Sequence, residues 1–201
     1  GAGQFARSSL LPILSTQKKI RLANLVTKTG VSAWSTLNKF NFINIMDSFD
    51  EVSSGSPKSK YVFIASRHAN HADLTVKAIK AGYENIFVEK PLATNRKELE
   101  LIKNTLSHYS VNLMVGYNRR FSRHTEKIKH FFSGSRISNI TYIVNAGHLP
   151  GDHWVFKSEE GRSRIVGEMC HFFDFFQVVT NSKIVSFTAK CIDSNNEGQS
   201  T

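Results

Sequence analysis

Only two cysteines, Cys170 and Cys191, occur in the 201 residues, and they show no C-x-x-C spacing. Neither a disulfide framework nor a zinc ribbon is expected from them, and a reducing cytoplasm is the compartment they fit. No apolar run approaches the length that crosses a bilayer, and the longest are broken by polar residues. The opening GAGQFARSSLLPIL has no basic region ahead of its apolar part, so it does not read as a secretory signal. Internal repeats and low-complexity tracts are also missing. What remains is a composition ordinary for a globular protein, 40% hydrophobic and 21% charged. The length suits one large domain, or one domain and part of another.

Negative charge is the scarcer sign. Sixteen acids stand against 26 lysines and arginines, giving a net charge of +10 and a pI near 9.7. The basic residues are spread along the chain, with small clusters at 17–21 and 119–129, and neither cluster is interleaved with aromatics as in nucleic-acid-binding motifs. A solvated basic surface accounts for the charge, with an anionic small ligand such as a dinucleotide or nucleotide sugar as the alternative. Nucleic acid and membrane partners are not expected.

The positive features follow the chain. Gly1, Gly3 and Ala6 form a G-x-G-x-x-A pattern that leads into an apolar helical segment. In a dinucleotide fold the first glycine makes the turn after strand one, the second admits the pyrophosphate and the third small residue packs helix on strand. The strand that should come before this turn is missing, so the chain is expected to begin one strand late. Strands are expected at 20–27, 42–46, 61–66, in the apolar part of the run 86–91 and at 112–117, and helices at 32–39, 72–81 and 95–109. Gly82 is expected to stop the second of these helices and 52–60 to form a loop. Such alternation predicts βαβ units and a doubly wound parallel sheet. The run 86–91, IFVEKP, leaves Glu89 and Lys90 at the carboxyl end of a buried strand, the edge where open α/β sheets take ligands. His68 and His71 follow another strand at that edge, where pocket lining and a structural role are equally open. No acid closes the second strand. Lys28 stands there instead, either tolerating a 2′-phosphate, which would allow NADP as well as NAD, or pointing to solvent.

Composition changes after Tyr117. A basic helix follows residues 118–121, an alternating strand is expected at 137–145 and a long loop at 146–164. A helix at 165–180 carries Glu168, His171 and Asp174, and a last strand is expected at 184–191. The expected division is therefore a dinucleotide-binding domain over 1–118 and a partial α+β domain over 119–201. His148, Asp152, His153 and His171 match no compact zinc pattern, so no metal is expected.

The segments GAGQFA, VFIASRHANHADLTVKAIKAG, IFVEKPLA, LMVGYNRRFS and RIVGEMCHFFDF occur in an order that resembles the glucose–fructose oxidoreductase/inositol dehydrogenase (Gfo/Idh/MocA) family. NAGHLPGDHW followed by GEMCHFFDF looks like one branch of it, in which the module occurs alone or fused to an alcohol-dehydrogenase-like domain. The resemblance implies a Rossmann domain holding NAD or NADP, and a second domain whose open, mainly antiparallel sheet carries a sugar, polyol or nucleotide sugar. It also implies a homo-oligomer for a full-length protein. Carried onto this chain, it implies Lys90 beside the nicotinamide and the reacting carbon, His171 as acid/base and Glu168 as its helper. Gly1, Gly3, Gln4, Phe5, Lys28, Ser66, Arg67, His71, Glu89, Lys90 and Asn118 would contact the cofactor. His153, Trp154, Arg164 and Asp174 would contact the substrate. Many members carry an aspartate four residues before the helix histidine. Gly167 occupies that position here, and Gly161-Arg162-Ser163-Arg164 replaces the family's glycine-rich run. These departures keep two other readings open: a dinucleotide-binding sensor that has lost the chemistry, and an inactive truncated remnant.

Overall fold

A computed structural model describes residues 1–28, 30–54, 60–134, 139–160 and 164–190. The chain divides into two compact units, Gly1–Val115 and Gly116–Thr201. The division falls three residues ahead of the sequence-based boundary at 118, so Asn118 belongs to the second unit.

The first unit is α/β. Helical turns at Ala6–Leu10 run into α1 (Leu11–Thr16), followed by β1 (Asn24–Val26), α2 (Gly30–Phe40), β2 (Asn44–Met46) and α3 (Phe49–Ser54). Next come β3 (Tyr61–Ile64), α4 (His71–Lys80), β4 (Asn85–Val88), α5 (Arg96–Leu106) and β5 (Asn112–Val115). Every strand pair is parallel, but the single sheet expected from sequence is present as two. One has the order β1-β2 and the other β3-β4-β5. The expected loop at 52–60 begins later than its composition suggests, because α3 extends to Ser54; residues 55–59 lie outside the described ones.

The core lies under β4, whose Ile86 and Val88 pack with Ile64, Ala78, Ile79 and Tyr83. Helix α4 presents Ala72, Val76 and Ile79 one turn apart, so a single face is buried. It ends where Gly82 adopts φ +83°. The Gly82 amide then donates to Ile79 and that of Tyr83 to Ala78, satisfying carbonyls the helix would leave bare. Helix α5 starts on Asn95, whose side chain accepts from the Glu98 amide, while the Glu98 carboxylate accepts from the amide and hydroxyl of Thr94. The first closure leads into the amino end of β4, and the second follows its carboxyl end, where Glu89 and Lys90 stand.

The second unit is helical where it is regular. A 3₁₀ turn at Asn118–Phe121 leads through the Ser122 cap into α6 (Arg123–Phe131), and π-helical turns at Ile165–Met169 lead into α7 (Cys170–Thr180). The expected helix at 165–180 is thus present over its full length. The strands expected at 137–145 and 184–191 are not found among the described residues. Residues 139–145 and 184–190 carry no regular structure, and Ile143, Val185 and Phe187 are largely exposed. Alternation gives such a segment one apolar face, but a strand exists only through hydrogen bonds to a neighbour, and no ladder engages either segment. The antiparallel sheet implied by resemblance is accordingly not formed among the described residues.

Candidate functional site

In the first unit most candidate residues stand at the carboxyl edge of the β3-β4-β5 sheet, while Lys28 follows β1 in the other sheet. A Cβ added to Gly1 would lie 3.1 Å from the carbonyl oxygen of Ala65, just past β3, whereas one added to Gly3 would meet only that oxygen, at 4.0 Å. Ala6 is buried. The first glycine therefore approaches a strand end so closely that a Cβ would crowd it, the second keeps the turn bare on its outer side, and the small third residue packs inward. This is the division of labour a pyrophosphate-binding turn needs, and these residues fit a dinucleotide. Gln4 and Phe5 are exposed beside the turn, and Lys28 is exposed just past β1.

Glu89 and Lys90 leave β4 at the same edge. The Glu89 amide donates to the Ile64 carbonyl at 2.9 Å, the last rung between the two strands. Both side chains are half-buried. Burial pushes the Glu89 carboxyl above its ordinary range, against the opposing pull of the Lys90 amide and charge. Ser66 and Arg67 follow β3, the first half-buried and the second exposed. The His71 ring is buried, with Nδ1 2.7 Å from the Pro91 carbonyl oxygen and Nε2 3.2 Å from that of Ser66. Both nitrogens face backbone within the unit, so His71 braces the sheet edge.

The second unit collects a different set. Asp174, buried on α7, is gripped by Arg120 through both carboxylate oxygens: Nε donates to Oδ2 at 3.1 Å and Nη2 to Oδ1. This aspartate anchors a helix through its pairing with Arg120. One turn earlier His171 is also buried, and its ring meets Tyr117 edge-on with centroids 6.2 Å apart. The Tyr117 phenol is pushed up to about 12, chiefly by burial and then by Cys170 and Asp174, with Arg120 opposing. Arg119 lies 4.6 Å over the Phe172 ring and reaches the Tyr142 hydroxyl at 3.4 Å. Glu168 is half-buried in the π-helical turns, and Gly167 beside it is buried.

Two expected substrate contacts are engaged elsewhere. Arg164 donates to the carbonyls of Gly147, at 2.8 Å, and Ala146, at 3.3 Å; the guanidinium straps a loop to the start of the helix, and its donors are directed there. His153 Nδ1 accepts from the Val155 amide and so starts a short 3₁₀ turn. Trp154, in that turn, keeps about a third of its surface exposed. Asn118 is exposed at the head of its own turn. Gly161, Arg162 and Ser163 lie outside the described residues, as does Cys191. Tyr117 and Arg120 were not singled out from sequence. Their signal was the position of GYNRRF directly after β5, a strand end of the same kind as EKP.

A parallel sheet with a glycine turn packed against one strand end and an acid–lysine pair on the next defines a dinucleotide-binding protein of the Rossmann class. The chain belongs to the Gfo/Idh/MocA oxidoreductase family, whose model, described as an NAD-binding Rossmann fold, matches residues 1–143. Its cofactor is accordingly NAD or NADP. It is 24% identical over 172 residues to an uncharacterized oxidoreductase, YrbE, of Bacillus subtilis (strain 168), covering 86% of this chain and 49% of that one. It is 27% identical over 128 residues to the inositol 2-dehydrogenase of Rhizobium meliloti (strain 1021), covering 64% and 38%. Among solved structures, levoglucosan dehydrogenase in complex with NADH and levoglucosan shares the fold, with a TM-score of 0.70, 20% identity and coverage of 90% of this chain and 52% of that one. The chain thus spans about half or less of the length of these relatives. Among the described residues no helix is long and apolar enough to cross a membrane.

Proposed function

We propose that this chain contributes the cofactor half and part of the substrate half of an NAD(P)-dependent dehydrogenase. The substrate is a secondary hydroxyl of a sugar, polyol or nucleotide sugar. The observation that carries the reading is Lys90, half-buried at the carboxyl edge of the sheet that also packs the glycine turn. The nicotinamide, when bound, supplies the hydride acceptor. The protein's part is to manage charge and protons. As the carbinol carbon gives up hydride its hydroxyl must lose a proton, and His171 is the proposed base because imidazole titrates near neutrality. The Lys90 ammonium stabilises the negative charge developing on that oxygen. Glu168 is the proposed helper of His171, standing beside Gly167 where many relatives carry aspartate. Gly1 and Gly3 admit the pyrophosphate, while Ser66, Arg67, Glu89 and Asn118 are proposed to border the cofactor. The exposed Lys28 and the missing acid after β1 support acceptance of NADP beside NAD. A cytoplasmic homo-oligomer is the proposed state of the whole protein.

Titration with NADH and NADPH, followed by turnover on a panel of sugars and polyols, tests the reading. Lys90→Ala and His171→Ala are expected to abolish turnover while dinucleotide binding survives. Unchanged turnover in both variants would overturn the assignment. Gly167, buried where many relatives carry the aspartate, favours a second reading: a sensor that binds dinucleotide tightly and oxidises nothing on the panel.

A further inference from the structure

We infer that His71 is a positioning residue for Lys90, acting through the carbonyl of Pro91; this rests on the reading of Lys90 as the group that stabilises the developing oxyanion. The β3–β4 ladder ends early. Its last rung is the Glu89 amide on the Ile64 carbonyl at 2.9 Å, and the register between the two strands stops at Ile64 and Val88. Lys90 is the next residue, and Pro91 after it has no amide to continue the ladder. Something else must fix the backbone there.

The buried imidazole of His71 does so. Nδ1 lies 2.7 Å from the Pro91 carbonyl oxygen, and Nε2 lies 3.2 Å from the carbonyl oxygen of Ser66, the residue two places past the end of β3. The ring thus spans the exits of two neighbouring strands. Its own backbone is held at the first turn of α4, where the Thr75 hydroxyl donates to the His71 carbonyl at 2.7 Å. Lys90 is therefore pinned on both sides, by a ladder rung before it and an imidazole hydrogen bond after it. Both facing atoms are carbonyl oxygens and only accept, so a ring nitrogen that bonds one of them does so as a donor. The shorter contact is the one to Pro91, the residue bonded to Lys90. The rate of a reaction that depends on Lys90 should be sensitive to this contact, since a displacement of about 1 Å at a reacting group costs about 100-fold.

Two substitutions separate the contacts. His71→Asn places an amide donor near the Nδ1 position and can still reach Pro91, whereas His71→Gln places it nearer Nε2 and reaches Ser66. H71Q is expected to lower kcat on the order of 100-fold with KM and dinucleotide affinity little changed. H71N is expected to rescue kcat to within about threefold of the parent. Equal losses in the two variants, or losses confined to KM, would overturn the inference. In the unsubstituted chain, ¹⁵N NMR of the ring is expected to show a protonated Nδ1, and a proton carried only on Nε2 would also overturn it. Should the parent oxidise nothing on the sugar panel, the proposed function falls separately. The amide exchange rate of Lys90 then decides: faster in H71Q than in H71N supports the clamp, and equal rates refute it.

Discussion

The two units are held together by different physics. In Gly1–Val115 the described residues form three clusters of buried apolar side chains, and parallel ladders join every strand. In Gly116–Thr201 no such cluster occurs among the described residues. An ion pair and a set of aromatic contacts take its place: Arg120 with Asp174, and Tyr142 within 4.8 to 6.2 Å of the rings of Phe172, Phe175 and Phe176. A unit resting on burial should lose stability in proportion to apolar volume removed, and a unit resting on one charged clasp should depend on that clasp. Ile79→Ala, at a position with no exposure, is expected to cost about 4 kcal/mol, whereas Val185→Ala, at 95% exposure, should change stability by less than about 0.5 kcal/mol. Chemical denaturation of both variants checks this. A large loss in V185A would mean that residues 184–190 are packed, and the contrast between the units would fail.

The clasp itself gives the next effect in size. Asp174→Asn keeps the shape of the side chain and removes its charge, leaving Arg120, itself partly exposed, with a weaker acceptor. The expected loss is about 2 kcal/mol, between the ranges for exposed and buried pairs, because the charge left on Arg120 keeps contact with water. It should appear as melting of the second unit, read by loss of helical circular dichroism without change in the unfolding of the first. A loss below 1 kcal/mol on the same measurement, the range of an exposed pair, would show that the aromatic contacts suffice.

Legibility followed the same divide. The strand ahead of Glu89 could be read because three apolar residues, Ile86, Phe87 and Val88, end in an acid, a lysine and a proline, and the stop at Gly82 because only glycine takes that φ without strain. The glycine turn could be read from spacing, and its packing on Ala65 shows that a side chain at the first position would press on the strand end. The bracing contacts of His71 were not legible because its partners are backbone carbonyls, one of them 20 residues away, and carbonyls carry no sequence signature. The Arg120–Asp174 pair spans 54 residues and lay beyond any local pattern. The missing strands failed for a third reason. Alternation at 137–145 reports that one face prefers cover, but it does not name the partner that would make a strand of it.

Tyr117 sharpens the contrast last, because it changes nothing at neutral pH. Its phenol ionises at about 12 in the folded chain against a usual value of 10, raised first by burial and then by Cys170 and Asp174. Below pH 10 both folded and unfolded chains hold the proton and no difference arises. Between 10 and 12 the unfolded chain releases it while the folded chain retains it, so the proton uptake that accompanies folding makes stability fall as pH rises through this window. Tyr117→Phe should make that slope shallower, leaving the part due to Tyr83, whose phenol burial also raises, while keeping the ring against His171. The measurement is denaturant unfolding of parent and variant at intervals across the window, with ultraviolet absorbance of phenolate recorded alongside. A slope that survives unchanged in Y117F would assign it to other tyrosines. It would also remove the reason for treating the hydroxyl of Tyr117 as buried against the charged clasp.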